Sequence, residues 1–158
     1  MCNKIQEDFE KEIIEKSDSH DCKYLINIVK EWVSSHKDAQ FLGCYKNKLG
    51  SYAVALYSYG VIYLLNSYYS SVMYAPKLLM HNLSNSCIYI DDIITKETST
   101  GNGTALMFAL FRYAKENNFS EIKGFLSDID SDHKDRLLKY YNKFGFTIEN
   151  NKIHRVLD

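Results

Sequence analysis

The sequence predicts an α/β fold of the mixed kind, a central and mostly antiparallel sheet flanked by helices, in a single domain over residues 1–158. Three observations carry that expectation. Apolar residues recur at helical spacing over the first forty residues and again from Gly103. Between those regions the chain breaks into short runs rich in Tyr, Val and Ile, separated by turn residues. From Cys87 onward the order reads strand, loop, helix, strand, helix, strand, which suits a mixed sheet covered by helices. With 158 residues, 46% of them apolar and 25% charged, the chain can bury one core of ordinary globular composition.

Each element has its own signal. "QEDFEKEIIEK" places Phe9, Ile13 and Ile14 at helical spacing, and "CKYLINIVKEWV" does the same with Leu25, Ile28, Val29 and Trp32; "SDSHD" lies between them as a loop. "FLGCYKN", "SYAVALYSYG", "VIYLLNS" and "CIYIDDIIT" read as three or four antiparallel strands. "SSVMYAPKLLMHNL" holds Pro76, the single proline of the chain, and reads as a loop or as a short helix starting after it. The helix from Gly103 carries Leu106, Met107, Leu110, Phe111 and Ala114 on one face and stops at Asn117-Asn118. "EIKGFLS" is a strand, and "DHKDRLLKYYNKFGF" is a helix with Gly145 just past its end. "FTIENNKIHRVL" closes the chain as a hairpin turning at Asn150-Asn151, residues that tolerate positive φ.

Composition excludes several classes of function. Nineteen Lys and Arg against twenty Asp and Glu leave a net charge of −1, so no global field attracts nucleic acid or an anionic membrane. Any anionic ligand must be held locally. Cys2, Cys22, Cys44 and Cys87 never form C-x-x-C, which argues against a zinc ribbon or a disulfide framework and fits a reducing cytoplasm. The five histidines show no metal spacing, and no metal is expected. The N-terminus is charged throughout and no apolar stretch approaches the ~20 residues that span a bilayer. A soluble, unprocessed cytoplasmic protein is expected.

The segment "TSTGNGTALM" delivers a strand into a helix and sets two glycines beside hydroxyl side chains. The first turn of that helix offers N–H groups and roughly half a positive charge, which together make a phosphate seat. Gly101 and Gly103 let the backbone approach an anion, and Thr98, Ser99, Thr100 and Thr104 add hydroxyl donors. A plain loop and helix cap is the competing use of the same residues. A nucleotide P-loop requires a lysine after the last glycine, and none follows Gly103. A dinucleotide fingerprint requires a small residue where Leu106 stands. A pyrophosphate seat late in a mixed sheet remains.

"TSTGNGTALM" at a helix start after "IYIDDIITK", with "KYYNKFGF" about forty residues later, resembles the GNAT superfamily of acetyl-CoA-dependent N-acetyltransferases. The family's loop pattern, [RQ]-x-x-G-x-[GA], is met by Gly101 and Gly103, while Thr98 stands where Arg or Gln is usual. Its later pattern is met by Tyr141, Asn142, Lys143, Phe144, Gly145 and Phe146. The asparagine common early in that helix is absent; His133 and Lys134 stand near its place. The resemblance covers Cys87 to Phe146, and the N-terminal half agrees in element order.

The resemblance implies acetyl-CoA as cofactor and direct acetyl transfer to the primary amine of a small-molecule or peptide acceptor. It implies that the strand ending in "DDIIT" splays from its neighbour, with the pantetheine arm bonded to backbone at Ile93, Ile94 and Thr95. The loop residues Thr98 to Ala105, including Asn102, would hold the pyrophosphate, with Ser127 and Lys134 as further cofactor contacts. Tyr141 becomes the acid for the leaving thiolate, with Tyr140 as the competing phenol. For unperturbed groups that transfer is about 1.5 pH units uphill, or roughly 2 kcal/mol. Asp92 is the carboxylate placed to act as base; Asp91 points to the opposite face of a regular strand, and Glu97 is a weaker choice.

Other constellations fail on geometry. "DIDSDH" resembles half a calcium loop but has His133 at position six and Lys139 at position twelve. His20, Asp21 and Cys22 are adjacent, so on a helix they do not face one another. The tyrosines of residues 52 to 74 would pack a half-buried sheet or line an acceptor pocket; without basic residues among them they do not read as a nucleic-acid surface. A non-catalytic acyl-CoA-binding or protein-interaction module is the second functional class, motivated by Thr98. A homodimer is left open.

Overall fold

The computed structural model describes residues 2–95, 100–126 and 131–158. In chain order the elements are α1 (Cys2–Lys16), α2 (Cys22–Ser35), β1 (Gln40–Lys46), β2 (Tyr52–Ser58), β3 (Val61–Leu65), β4 (Lys77–Asn82), β5 (Cys87–Ile94), α3 (Asn102–Glu116), β6 (Glu121–Phe125), α4 (Ser131–Lys143), β7 (Thr147–Glu149) and β8 (Lys152–Val156). The strands form an eight-stranded mixed sheet in the order β1-β2-β3-β4-β5-β6-β8-β7. No helix among the described residues is long and apolar enough to cross a membrane. The chain clusters into two compact units, Met1–Leu78 with Ile93–Arg112, and Leu79–Asp92 with Tyr113–Asp158.

In the first unit, β1, β2 and β3 are an antiparallel meander. Phe9 and Ile13 of α1 and Leu25, Val29 and Trp32 of α2 join Cys44, Val54, Leu56 and Leu65 in one buried cluster, so these members of the helical stripes are the ones that pack, while Ile28 is half-buried and Ile14, read into the α1 stripe from the sequence, is exposed on the helix flank. The register of β1 slips between Phe41 and Cys44, and a carboxylate covers the gap. Glu12 accepts the Cys44 N–H at 2.9 Å and holds Arg112 at 2.7 Å, while the Arg112 guanidinium lies 5.4 Å from the Phe41 ring centre.

The segment after Pro76 is strand β4, which overturns the expectation of a loop or a short helix. Pro76 stands just before the strand, where its missing N–H removes no ladder bond, and its carbonyl accepts the Leu64 N–H at 3.0 Å. Leu78 and Met80 are buried while Lys77 and Leu79 are half-buried. That period-2 pattern spans four residues, too few to separate strand from helix in the sequence.

In the second unit, β5 pairs parallel with β6, and β6-β8-β7 is antiparallel. The closing hairpin turns at Asn150 and Asn151, with φ of 52° and 62°. The helix α4 ends in a Schellman motif. Gly145 is left-handed at φ 80°, its N–H reaches the Asn142 carbonyl at 3.1 Å, and the Phe146 N–H reaches the Tyr141 carbonyl at 3.1 Å. The rings of Tyr141 and Phe146, 5.3 Å apart, supply the apolar contact that accompanies such a stop.

Candidate active site

The glycine loop belongs to the first unit. Gly101 adopts φ +89°, a conformation strained for any residue with a Cβ. Its carbonyl accepts the Ala105 N–H at 3.0 Å, which makes it the cap from which α3 starts. A second restraint comes from the turn between β1 and β2. Asn47 Oδ1 accepts the N–H groups of Leu49 and Ser51, each at 2.9 Å, and this shapes the turn so that the Lys48 N–H reaches the Thr100 carbonyl at 2.8 Å. A Cβ on Gly101 would lie 3.4 Å from both Lys48 N and Lys48 Cγ. The two loop glycines therefore differ: Gly101 is required by its backbone angle and by close approach, whereas Gly103 lies inside α3 without positive φ.

The remaining loop residues differ in burial. Asn102 opens α3 as a buried polar residue, Ala105 is buried, and Gly103 and Thr104 are half-buried. Upstream, Ile93 is half-buried and Ile94 exposed at the end of β5, with Thr95 half-buried directly after it. Thr98, Ser99 and Ser127, together with Glu97, lie outside the described residues.

The second unit holds Tyr141, Asp92 and Lys134. The ladder between β5 and β6 runs from Cys87↔Glu121 to Ile90↔Gly124 and ends there, although β5 continues to Ile94. Asp91 and Asp92 are thus the first residues of β5 beyond the pairing, and both are exposed. They serve opposite faces. Asp91 receives His81 Nδ1 at 2.8 and 2.9 Å, while the charge of Asp92 acts on Tyr141.

Tyr141 sits in the last turn of α4 with 6% of its surface exposed, between the rings of Tyr140 at 5.1 Å and Phe146 at 5.3 Å. Its hydroxyl makes no hydrogen bond with any described residue, yet no buried polar side-chain atom among the described residues lacks a partner. The hydroxyl therefore reaches the edge of the packed region. Burial pushes the phenol up to about 12, and the neighbouring Asp92 charge adds to that. Burial raises Tyr140 as well. From about 12, passing the proton to an ordinary thiolate is roughly 3.5 pH units uphill, about 5 kcal/mol. That is more than twice the step that unperturbed groups imply, because a phenolate largely buried in an aromatic cluster is poorly solvated by water. Tyr141 is a firmly protonated donor. Lys134 stands half-buried in the first turn of α4.

No protein-family model and no curated protein matches the chain. Solved structures do resemble it. Ard1 from Thermoplasma volcanium is 14% identical with a TM-score of 0.48, covering 98% of this chain and 93% of its own. A candidate streptothricin acetyltransferase from Bacillus anthracis, crystallised with acetyl coenzyme A, is 16% identical with a TM-score of 0.46, covering 77% and 87%. A candidate acetyltransferase of the GNAT family from Desulfovibrio desulfuricans is 10% identical with a TM-score of 0.47, covering 98% and 89%.

Two residues beside these features carry no motif. Lys48 borders Gly101 from more than fifty residues earlier in the chain, and is brought there by the Thr100 hydrogen bond. His81 lies on β4, the strand that sequence periodicity left unassigned, and meets Asp91 across ten residues. A sequence signal for either would have needed the strand pairing itself. Among the described residues no group of three or more His, Cys, Asp or Glu gathers as a metal site.

Proposed function

We propose that the chain is an acetyl-CoA-dependent N-acetyltransferase acting on a primary amine. The observation that carries this reading is Tyr141: a phenol with a buried ring, held protonated, whose hydroxyl has no partner among the described residues. Buried tyrosines ordinarily find a hydrogen-bond partner. A donor kept available in this way suits a group that must protonate something which arrives later.

The residues fit the cofactor. At Gly101 only a hydrogen separates the backbone from its surroundings, and the start of α3 turns N–H groups along the helix axis, so Thr100 to Ala105 would hold the pyrophosphate. Lys48, against Gly101, would supply the cation that Thr98 does not. Backbone groups of Ile93 to Thr95, beyond the end of the β6 ladder, would hold the pantetheine arm and offer an N–H to the thioester oxygen. When bound, the cofactor supplies an acetyl thioester: a C–N bond forms as the C–S bond breaks, and of two protons lost by the ammonium one ends on sulfur and one in solvent. Tyr141 Oη holds a proton for the sulfur. Asp92 keeps that proton on the phenol, and from the sequence it is also the expected base. A 5 kcal/mol proton transfer fits within the ~16 kcal/mol barrier of a turnover near 10 per second.

Thiol release from acetyl-CoA across amines, polyamines, aminoglycosides and peptide N-termini tests the proposal. Turnover on any of these that falls in Tyr141→Phe supports it. A non-catalytic acyl-CoA-binding module is the second reading, favoured by Thr98 at the usual Arg or Gln position; tight binding without turnover on the whole panel would favour that instead.

A further inference from the structure

We infer that the His81–Asp91 pair is the general base that takes the proton from the acceptor ammonium, in place of Asp92. The inference rests on the acetyltransfer proposed above. His81 Nδ1 lies 2.9 and 2.8 Å from the two carboxylate oxygens of Asp91, and the Tyr89 ring stands 5.2 Å from the imidazole. An ionised carboxylate only accepts hydrogen bonds, so Nδ1 is the protonated nitrogen, and in the neutral ring Nε2 keeps its lone pair. No other group among the described residues bonds to His81, and 52% of its side chain is exposed. The ring is thus oriented by a carboxylate and presents a free basic nitrogen, the arrangement used wherever an imidazole removes a proton. Among the described residues the titratable groups set against it are Asp91 and Tyr89, both on β5.

Position favours this pair. Asp91 is the first residue of β5 past its ladder with β6, and two residues, about 7 Å of extended chain, separate it from Ile93. A base for the entering nitrogen and an acid for the leaving sulfur belong on opposite sides of the acetyl carbon. Neighbouring residues of a strand face opposite ways, and Asp92 stands with Tyr141 while Asp91 stands with His81. In the step, the ammonium N–H bond breaks, its electron pair stays on nitrogen, and the proton passes to Nε2, leaving an imidazolium beside the Asp91 carboxylate. Solvent then removes that proton.

The test uses full-length protein with benzylamine, an ammonium at pH 7.5, and hydroxylamine, which is neutral there. His81→Gln should lower kcat/KM for benzylamine by about 10²–10⁴-fold and for hydroxylamine by less than about threefold. The residual benzylamine rate should climb about tenfold per pH unit as free amine accumulates. In the free wild-type protein, nitrogen-15 spectra at pH 8 should show His81 protonated on Nδ1, and Asp91→Asn should abolish that preference. Equal losses for both amines, or an Nε2-protonated ring in the wild type, would overturn the assignment while leaving acetyl transfer intact. Absence of thiol release with these two amines and with every acceptor of the panel above, in wild-type protein that binds acetyl-CoA, would instead remove the acetyltransfer reading and this base with it.

Discussion

Replacing Gly101 by alanine should weaken acetyl-CoA binding without unfolding the protein. Gly101 sits at φ +89°, where a Cβ costs about 1–2 kcal/mol. The added methyl would also lie 3.4 Å from Lys48 N, which cannot retreat freely because its hydrogen bond to the Thr100 carbonyl is 2.8 Å long. In the variant the loop relaxes out of this conformation, and binding must restore it. The affinity then falls by about 5–30-fold for 1–2 kcal/mol. Isothermal titration of both proteins with acetyl-CoA measures the change. Gly60→Ala is the control, since Gly60 is also left-handed, at φ 78°, but lies between β2 and β3 and has no part in the proposed site. Equal affinity in Gly101→Ala and wild type would refute the loop's role, and so would an equal loss in Gly60→Ala.

Tyr141→Phe keeps the ring against Tyr140 and Phe146 and removes only the hydroxyl, so kcat should fall by about ten- to a thousandfold while acetyl-CoA affinity stays level. Because burial raises Tyr141 to about 12 in the folded chain, stability should be constant below pH 10 and fall from pH 10 to 12, by roughly 3 kcal/mol for this group. The sign follows from the unfolded chain losing its phenolic proton first. Cys44, pushed up to about 12 by burial and by Glu12, begins the same decline near pH 9. Urea midpoints between pH 8.5 and 11 should therefore drop, and drop less in Tyr141→Phe. Glu12→Ala leaves the Cys44 N–H without its carboxylate and removes the ion pair to Arg112, which should cost about 2–4 kcal/mol by urea denaturation.

The elements legible in the sequence are those whose signal is local. Phe9 with Ile13, and Leu25 with Val29 and Trp32, repeat at helical spacing, and the burial of these residues shows that the spacing was a packing face. Asn150-Asn151 and Gly145 are turn and stop residues whose backbone angles follow from their own chemistry. The strand β4 was not legible, because four alternating residues after a proline carry no period of their own and depend on neighbouring strands for identity. The candidate site divides along the same line. Gly101 and Tyr141 were visible through motif spacing, but the difference between Gly101 and Gly103 needed backbone angles. The acidity of Tyr141 needed the aromatic cage around it, and His81 needed the strand that sets it against Asp91. Part of the Tyr141 to Phe146 pattern is also explained by the helix stop alone, since Tyr141 and Phe146 make the apolar contact of a Schellman motif.

Calorimetric titration of the full-length wild-type protein with acetyl-CoA tests acyl-CoA dependence most directly. Saturable binding with a dissociation constant between about 1 μM and 1 mM is predicted, the range in which enzymes usually meet their substrates. Absence of binding at millimolar acetyl-CoA would contradict it, and the glycine loop at Gly101 would then be a helix cap and nothing more.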